Sequence, residues 1–256
     1  MNPLRRLSLP AALLALSLPL AAQQADRPPD RPAARPVEAD AEPAASPAPR
    51  QDLIGPPAPP VWWQLAADGP DHAACLAALR DLGATFTEEP RQTDPDDPDC
   101  GIARPLLLQG LGAGIALPDA PLLRCETALA LARWSQDFLR PAAEALPEAA
   151  PLAALRTGPG YVCRERVGTA DPDAKPSEHA YGNAIDIMAF EFAGREPLPV
   201  QPRKGDADGD EAFQRAARAT ACLLFTTVLG PGSNAAHDDH LHLDLARRSS
   251  GWRLCD

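Results

Sequence analysis

The placement of six cysteines is the strongest constraint on what this chain can fold into. They are widely spaced, and no two of them form the Cys-x-x-Cys pair that is typical of clustered thiolate zinc sites. Their positions are Cys75, Cys100, Cys125, Cys163, Cys222 and Cys255. Together with the export signal described next, an even number predicts three disulfide bonds formed in an oxidising compartment. We expect Cys222 to pair with Cys255 and fasten the C-terminus to the domain. The remaining pairings stay open.

The N-terminus has the features of a secretory signal. Met1–Arg6 is short and basic, Leu7–Leu20 is apolar, and small residues at 21 and 22 allow cleavage. The sequence therefore predicts a signal peptide at residues 1–22 and a periplasmic or secreted protein. An uncleaved membrane-anchoring start is the alternative, although the apolar run is short for a bilayer span and no other long one follows. We expect no transmembrane segment in the mature form.

Residues 23–60 are rich in Pro, Ala, Asp and Arg and contain almost no large apolar side chains. Prolines remove backbone donors, and a segment with little to bury cannot offset the entropy of folding, so we predict a disordered tether. The folded domain is expected at residues 61–256, a length that can bury a real core. We expect it to be a monomer.

The formal net charge is −11, and it becomes more negative if the basic signal is removed. Binding to nucleic acid or to an anionic membrane is therefore disfavoured, because the countercharge is missing. An anionic substrate would have to be bound by a few local arginines.

Hydrophobic periodicity predicts helices and short strands without regular βαβ alternation. Helices are predicted at Asp71–Leu82, at Cys125–Leu146 with a continuation through Leu152–Arg156, and at Glu211–Phe225. Strands are predicted at Thr85–Thr87, Tyr161–Arg164, Met188–Phe192 and His240–Leu245. This order favours an α+β fold with a small antiparallel sheet flanked by helices and stabilised by disulfides.

Two separated stretches carry the candidate metal ligands. The first, Ser177–Ile187, places His179 and Asp186 on either side of a glycine. The second, His237–Asp244, holds three of the five histidines. In an extended strand His240, His242 and Asp244 fall on one face and the intervening leucines on the other, and buried imidazoles and carboxylates need partners or a metal.

A zinc site on the sheet is the hypothesis that joins the two stretches. His179, Asp186 and either His240 or His242 would supply three ligands and leave the fourth tetrahedral position open, which is the catalytic arrangement. Neither spacing is specific by itself, since most His-x-His pairs are ordinary strand residues. Their co-occurrence strengthens the hypothesis.

The same residues carry a family resemblance. Zinc peptidases of the lysostaphin, D-Ala-D-Ala carboxypeptidase and hedgehog type have a similar paired signature, here Ser177-x-His179-x-x-Gly182-x-Ala184-x-Asp186 and His240-x-His242. From about Trp63 to Cys255 the chain more closely resembles the bacterial extensin-like C-terminal domain. The matching motifs are Tyr161-x-Cys163-Arg164, Ser177–Asp186, Leu229-Gly230-Pro231-Gly232 and His237-x-Asp239-His240-x-His242-x-Asp244.

This resemblance implies roles for individual residues. It implies Zn²⁺ ligation by His179, Asp186 and His242. His240 would be an imidazole that supports the ligands or stabilises the transition state. The relatives use an arginine after a Gly-Tyr to bind a peptide carboxylate or stabilise an oxyanion, and Arg164, with Arg166 behind it, is the counterpart here.

In the carboxypeptidases, the general base is a glutamate three residues before the last histidine ligand. This chain has the shorter Asp239 at that position. Asp239 is therefore the predicted base, with Asp238 or His240 as substitutes. The alternative interpretation is that Asp239 caps a loop or forms a hydrogen bond that supports another residue of the site.

These observations predict a zinc metallopeptidase that hydrolyses peptidoglycan stem peptides or crosslinks, as a carboxypeptidase or an endopeptidase. The alternative is a non-catalytic, zinc-stabilised module that binds cell wall or a partner, since hedgehog-like relatives keep such a site without hydrolysis. A third and weaker reading is a disulfide-stabilised envelope domain without metal.

Overall fold

The computed structural model describes residues 58–146, 150–166, 175–203, 205 and 208–256. The predicted signal peptide, residues 1–22, and residues 23–57 of the predicted tether lie outside the described residues. Within the described ranges, no helix combines the length and the apolar character needed to cross a membrane.

The helices predicted at Asp71–Leu82 and Glu211–Phe225 are confirmed with slightly shifted boundaries. The α-helices of the described residues are α1 (Val61–Gln64), α2 (Gly69–Asp81), α3 (Cys125–Trp134), α4 (Arg140–Glu144) and α5 (Gly209–Leu224). Helix α2 begins before the predicted Asp71, because the Asp68 carboxylate accepts a hydrogen bond from the Asp71 amide and caps the helix. In the same way, Asp208 caps α5 through the Glu211 amide.

The long predicted helix from Cys125 is divided into two α-helices by one turn of π-helix. That turn, Ser135–Leu139, joins α3 to α4, and the Arg140 amide bonds back to the Ser135 carbonyl. Pro141 follows at once, and a proline cannot donate a helical hydrogen bond. The widened turn therefore lies where the sequence predicts a bend.

Most strands belong to one sheet. The strands are β1 (Thr85–Glu88), β2 (Gln92–Thr93), β3 (Gly101–Ile102), β4 (Pro105–Gly110), β5 (Leu122–Arg124), β6 (Leu152–Thr157), β7 (Ala184–Phe192), β8 (Leu198–Pro199), β9 (Thr227–Leu229), β10 (Leu241–Asp244) and β11 (Leu254–Cys255). The six-stranded sheet has the order β11-β9-β10-β7-β6, with β8 also pairing with β7. Smaller sheets are β1-β4-β5 and β2-β3. Only the β9–β11 pair is parallel among the described strands, so the predicted α+β class is confirmed.

Two predicted elements are wrong. Leu152–Arg156 does not continue a helix but forms strand β6 along β7, since a short apolar run cannot be assigned to helix or strand by periodicity. Tyr161–Arg164 forms no strand. That segment is held instead by the disulfide at Cys163 and by the hydrogen bonds Val162 N–H to His179 O and Ser177 N–H to Arg164 O.

An aromatic cluster joins the helices to the sheet. Trp134 of α3 is fully buried and lies 6.4 Å, centroid to centroid, from Phe190 of β7 and 6.5 Å from Phe225. Phe213 of α5 packs 5.0 Å from Phe190. The Trp134 indole donates to Thr220 on α5, which satisfies its buried N–H. These contacts fix one face of β7, leaving its other face to carry Asp186.

All six cysteines form disulfides, as predicted. The pairs are Cys75–Cys125, Cys100–Cys163 and Cys222–Cys255. The expected bond between Cys222 and Cys255 is confirmed, and it ties the short terminal strand β11 to α5.

Removing the Cys222–Cys255 bond is expected to destabilise the fold. Its cysteines are 33 residues apart, so the crosslink restricts the unfolded chain considerably. Cys222→Ser with Cys255→Ser should lower the free energy of unfolding by about 2–4 kcal/mol. Urea unfolding measures the change, and the matched double alanine variant controls for the serine hydroxyls. An unaltered unfolding midpoint in both double variants contradicts this prediction.

Candidate metal centre

The first candidate ligand, His179, lies on a short 3-10 turn that the local sequence specifies. Ser177 caps the turn Glu178–Tyr181 by accepting a hydrogen bond from the His179 amide. Gly182 ends it with a positive φ of 61°, a conformation that glycine adopts without strain. A Cβ at Gly182 would come within 2.3 Å of the Ile102 side chain, so the close packing also requires glycine. This turn directs the buried His179 ring toward β7.

The second and third ligands face each other across two antiparallel strands. His242 of β10 is the direct cross-strand partner of Asp186 of β7. The residues that flank Asp186, Ile185 and Ile187, are fully buried, as are the leucines that flank His242. The predicted alternation is therefore confirmed on both strands, and the register brings the imidazole and the carboxylate to one point.

Three donor atoms converge there. Asp186 Oδ1 lies 3.2 Å from His179 Nε2 and 3.0 Å from His242 Nδ1, and the two imidazole nitrogens are 3.2 Å apart. Two ligands about 2.0 Å from a tetrahedral zinc ion lie about 3.3 Å from each other. The spacing and the two-histidine, one-carboxylate donor set both fit such an ion. The three atoms could hold a metal by small adjustments.

A buried carboxylate behind His242 fixes the orientation of its ring. Asp244 Oδ2 lies 3.1 Å from His242 Nε2, while Oδ1 accepts a hydrogen bond from the Ala246 amide at 2.9 Å. A carboxylate on the far nitrogen commonly sets the tautomer of a metal-binding histidine. The alternation in the sequence predicts the correct face for Asp244 but no role for it. The His-x-Asp spacing was the available signal.

The first histidine has no such support in the described part of the chain. His179 Nδ1 is buried and has no hydrogen-bond partner among the described residues. Among the described residues, the polar contacts of this ring are all made by Nε2, with Asp186 and His242.

Burial and hydrogen bonding oppose each other in this cluster. Burial alone raises the pKa of Asp186, but hydrogen bonds from His179 and His242 outweigh it and hold that pKa far below its usual range. Burial lowers the pKa of His242, yet hydrogen bonds to Asp186 and Asp244 raise it to about 9. The pKa of Asp244, which burial raises, is lowered overall by its bond to His242. Two ionised carboxylates thus hold His242, an arrangement that attracts a cation.

The remaining histidine-rich residues surround the ligands. His240 Nε2 lies 3.7 Å from Asp186 Oδ1, and its Nδ1 is 2.8 Å from Asp239 Oδ1. Asp239 itself is at the rim, with 80% of its side chain exposed. Asp238 accepts a hydrogen bond from the Gly232 amide. The buried His237 bonds to Asn234 and is not one of the three converging ligands.

A cleft of about 550 Å³ opens at the cluster. It is lined by Asp186, His237, His240 and His242, and by three arginines, Arg164, Arg166 and Arg248. Its volume is in the usual range of ligand sites. The structure therefore places both predicted arginines beside the candidate ligands. Two of the predicted site residues do not line the cleft: His179, which is buried beneath it, and Asp239, which is exposed at its rim.

The arginines differ in their partners. Arg166 is paired with the largely buried Glu178 at 2.8 Å, and Glu178 also accepts from Asn183. Burial raises the pKa of Glu178, and the Asn183 hydrogen bond offsets part of that rise. Arg164 donates to the Glu165 carbonyl and has no carboxylate partner among the described residues. Sequence reasoning missed Glu178 and Arg248, since only tertiary contacts bring them to the cleft.

The comparisons with known proteins support one assignment. A family model described as "Extensin-like protein C-terminus" matches residues 73–256, well over half of the chain. The chain belongs to this family. Searches of curated proteins and of solved structures found no match. In this extensin-like domain the turn that carries His179, Asp186 and the histidine-rich segment 237–244 all lie inside the matched region.

A second group of potential ligands in the extensin-like domain has another explanation. Asp97 lies close to Cys100 and Cys163. Because those cysteines are joined in a disulfide, they offer no thiolate, so this group is not a thiolate metal site.

Replacing Asp244 should weaken metal binding by the extensin-like domain without abolishing it. Asp244→Asn keeps the shape of the side chain but removes the charge that orients His242, and loss of such partners typically costs about tenfold to a hundredfold in metal affinity. Competition with a chromophoric chelator measures this affinity. Asp238→Asn is the matched control, and equal affinities of the two variants would contradict the role of Asp244.

Proposed function

We propose that this domain is a zinc-dependent peptidase of the bacterial cell envelope, acting on stem peptides or crosslinks of peptidoglycan. The observation that carries the proposal is the convergence of His179, Asp186 and His242 donors within 3.2 Å of one another. They meet at a cleft that also contains arginines. Support comes from the similarity of the two ligand motifs to zinc peptidases of the D-Ala-D-Ala carboxypeptidase type. Three disulfides favour an oxidising compartment, which the periplasm provides.

His179, Asp186 and His242 would hold the zinc ion, which would lower the pKa of a bound water and polarise the scissile carbonyl. The chain itself supplies the proton transfer and the orientation of substrate. His240 accepts a proton at Nε2 from the attacking water and donates it to the leaving amine nitrogen. Asp239 holds the opposite nitrogen of that ring, 2.8 Å away, and so keeps Nε2 directed at the cleft. We therefore assign proton transfer to His240 and an orienting role to Asp239.

Arg164 is assigned to the negative charge of the substrate. It lies in the cleft because the Cys100–Cys163 disulfide and the Ser177–Arg164 backbone hydrogen bond hold its segment against the ligand turn. A guanidinium binds a carboxylate with two parallel hydrogen bonds. Arg164 thus binds the peptide carboxylate or stabilises the oxyanion, and Arg166, already paired with Glu178, supports the wall of the cleft.

A non-catalytic zinc-binding module is the second candidate, and one observation favours it. The predicted base, Asp239, is largely exposed and does not line the cleft. Its carboxylate therefore does not stand where the base of the carboxypeptidases would have to reach the attacking water. In such a module the same cleft binds cell-wall peptides without cutting them.

Digestion of purified muropeptides tests the proposal. The zinc-loaded protein is incubated with crosslinked and uncrosslinked muropeptides, and products are identified by mass spectrometry. We expect loss of D-Ala or opening of crosslinks by the wild type, and no product from His242→Ala or after chelation. Binding without any product supports the module instead. Absence of zinc from folded, disulfide-bonded protein at neutral pH would exclude both.

A further inference from the structure

Arg248 is a fixed cation at the edge of the cleft. It follows strand β10, and its guanidinium donates to the Thr226 carbonyl at 2.9 Å and to Thr227 Oγ1 at 2.7 Å. The ring of Trp252 lies 4.7 Å from the guanidinium carbon. Strand β9 and the C-terminal segment therefore fix its position on two sides, and little conformational entropy is lost when it binds a ligand.

Arg248 forms no ion pair with a carboxylate among the described residues. Its hydrogen-bond acceptors there are a carbonyl and a hydroxyl, whereas Arg166 in the same cleft is paired with Glu178. A guanidinium carries five N–H donors, so several of them stay available. In a protein with a formal charge of −11, a pre-positioned arginine without a carboxylate is suited to bind an anion.

Arg164 is the other cleft arginine without a carboxylate partner among the described residues. Under the proposed function it serves the C-terminal carboxylate or the oxyanion at the scissile bond. Two separate cations then require two anionic groups on one ligand. Stem peptides meet this requirement when their internal acidic residues carry free carboxyl groups.

We propose that Arg248 is a specificity residue that binds a second carboxylate of the peptide, distinct from the one assigned to Arg164. This inference rests on the proposed function. The competing explanation is structural. Arg248 bonds to Thr227, Thr227 to Asp244, and Asp244 to His242, so Arg248 could act only by supporting the metal ligand.

Two matched probes separate these explanations. Both are stem pentapeptides ending in D-Ala-D-Ala with a free C-terminus. One has free internal carboxyl groups on its D-glutamate and diaminopimelate residues, and the other has both converted to amides. For the zinc-loaded full chain, calorimetry gives Kd and product analysis gives kcat/KM. The variants are Arg248→Gln, the charge-conserving Arg248→Lys, and Arg247→Gln, which removes the neighbouring exposed arginine that does not line this cleft.

We expect wild type to prefer the free-carboxylate probe by roughly tenfold to a hundredfold, the usual range for a hydrogen bond to a charged group. Arg248→Gln should abolish the preference, mainly by raising Kd and lowering kcat/KM for the free-carboxylate probe. It should leave the zinc content unchanged. Arg248→Lys should keep part of it, and Arg247→Gln all of it.

Equal recognition of the two probes by wild type overturns the proposal, and that comparison needs no variant. If Arg248→Gln loses the same affinity and activity toward both probes, or loses zinc, the proposal is also overturned in favour of the structural explanation. If wild type cuts both probes equally, only the assignment of Arg248 fails. If it neither binds nor cuts either probe and also releases no product from crosslinked muropeptides, the proposed function fails with it.

Discussion

Asp186→Asn is expected to remove zinc from the protein almost completely, because Asp186 is the point on which the whole site converges. One of its oxygens lies 3.0 Å from His242 and 3.2 Å from His179. The amide has nearly the same volume and keeps the strand pairing. It removes, however, the negative charge that offsets the cation and leaves a weaker oxygen donor. Since loss of a supporting partner already costs about tenfold to a hundredfold in metal affinity, loss of this ligand should cost more than a hundredfold.

Metal analysis after dialysis measures the effect as zinc per chain, which should fall from about one to near zero. Asp239→Asn is the matched control, because the same chemical change at the exposed rim should leave zinc bound. Circular dichroism shows whether each variant keeps its fold. A full equivalent of zinc in folded Asp186→Asn would contradict the assignment of the three ligands.

His240→Ala is expected to lower kcat by about a hundredfold to ten-thousandfold while zinc content stays the same, as is typical for loss of a general acid–base group. His240 borders Asp186 at 3.7 Å without being one of the three converging donors. Asp239 contacts only the far nitrogen of that ring within the described contacts, so Asp239→Asn should lower kcat much less, by about tenfold.

The two variants are compared on the muropeptide that wild type cuts fastest, with zinc content measured on the same samples. His237→Gln is a control for the loss of an imidazole nearby, since that ring bonds to Asn234. If Asp239→Asn loses as much activity as His240→Ala, or more, the base is the aspartate that the family resemblance predicts. The orienting role would then be wrong.

The sequence predicted which residues belong to the candidate site better than it predicted which of them are in contact. Alternation along β7 and β10 identified which side chains leave the core, because successive residues of a strand point to opposite faces. It therefore indicated Asp186 and the strand histidines as candidate ligands, whereas His179 was a candidate because it lies across a glycine from Asp186 in the sequence. The choice between His240 and His242 came from the family resemblance, and the structure brings His242 rather than His240 into the group of three.

The wrong predictions concern segments whose local sequence is compatible with two different structures. Leu152–Arg156 is a short apolar run that suits a helix or a strand, and its pairing with β7 decided for the strand. Asp239 was predicted as the base from its resemblance in position to the carboxypeptidase glutamate, yet the loop before β10 turns it toward His240 and solvent. In neither case does the sequence within a few residues contain the deciding contact.

By itself, the sequence determined the number of disulfides, the α+β class, the family and the two stretches that hold the candidate ligands. These follow from composition, periodicity and motif, which are properties of neighbouring residues. Only the tertiary structure decided the register that sets His242 opposite Asp186, the hydrogen bond that His242 donates to Asp244, and the position of Arg248 at the cleft. The physical reason is that strand register and cleft lining depend on contacts between residues far apart in the chain. Those contacts are selected by the packing of the whole core.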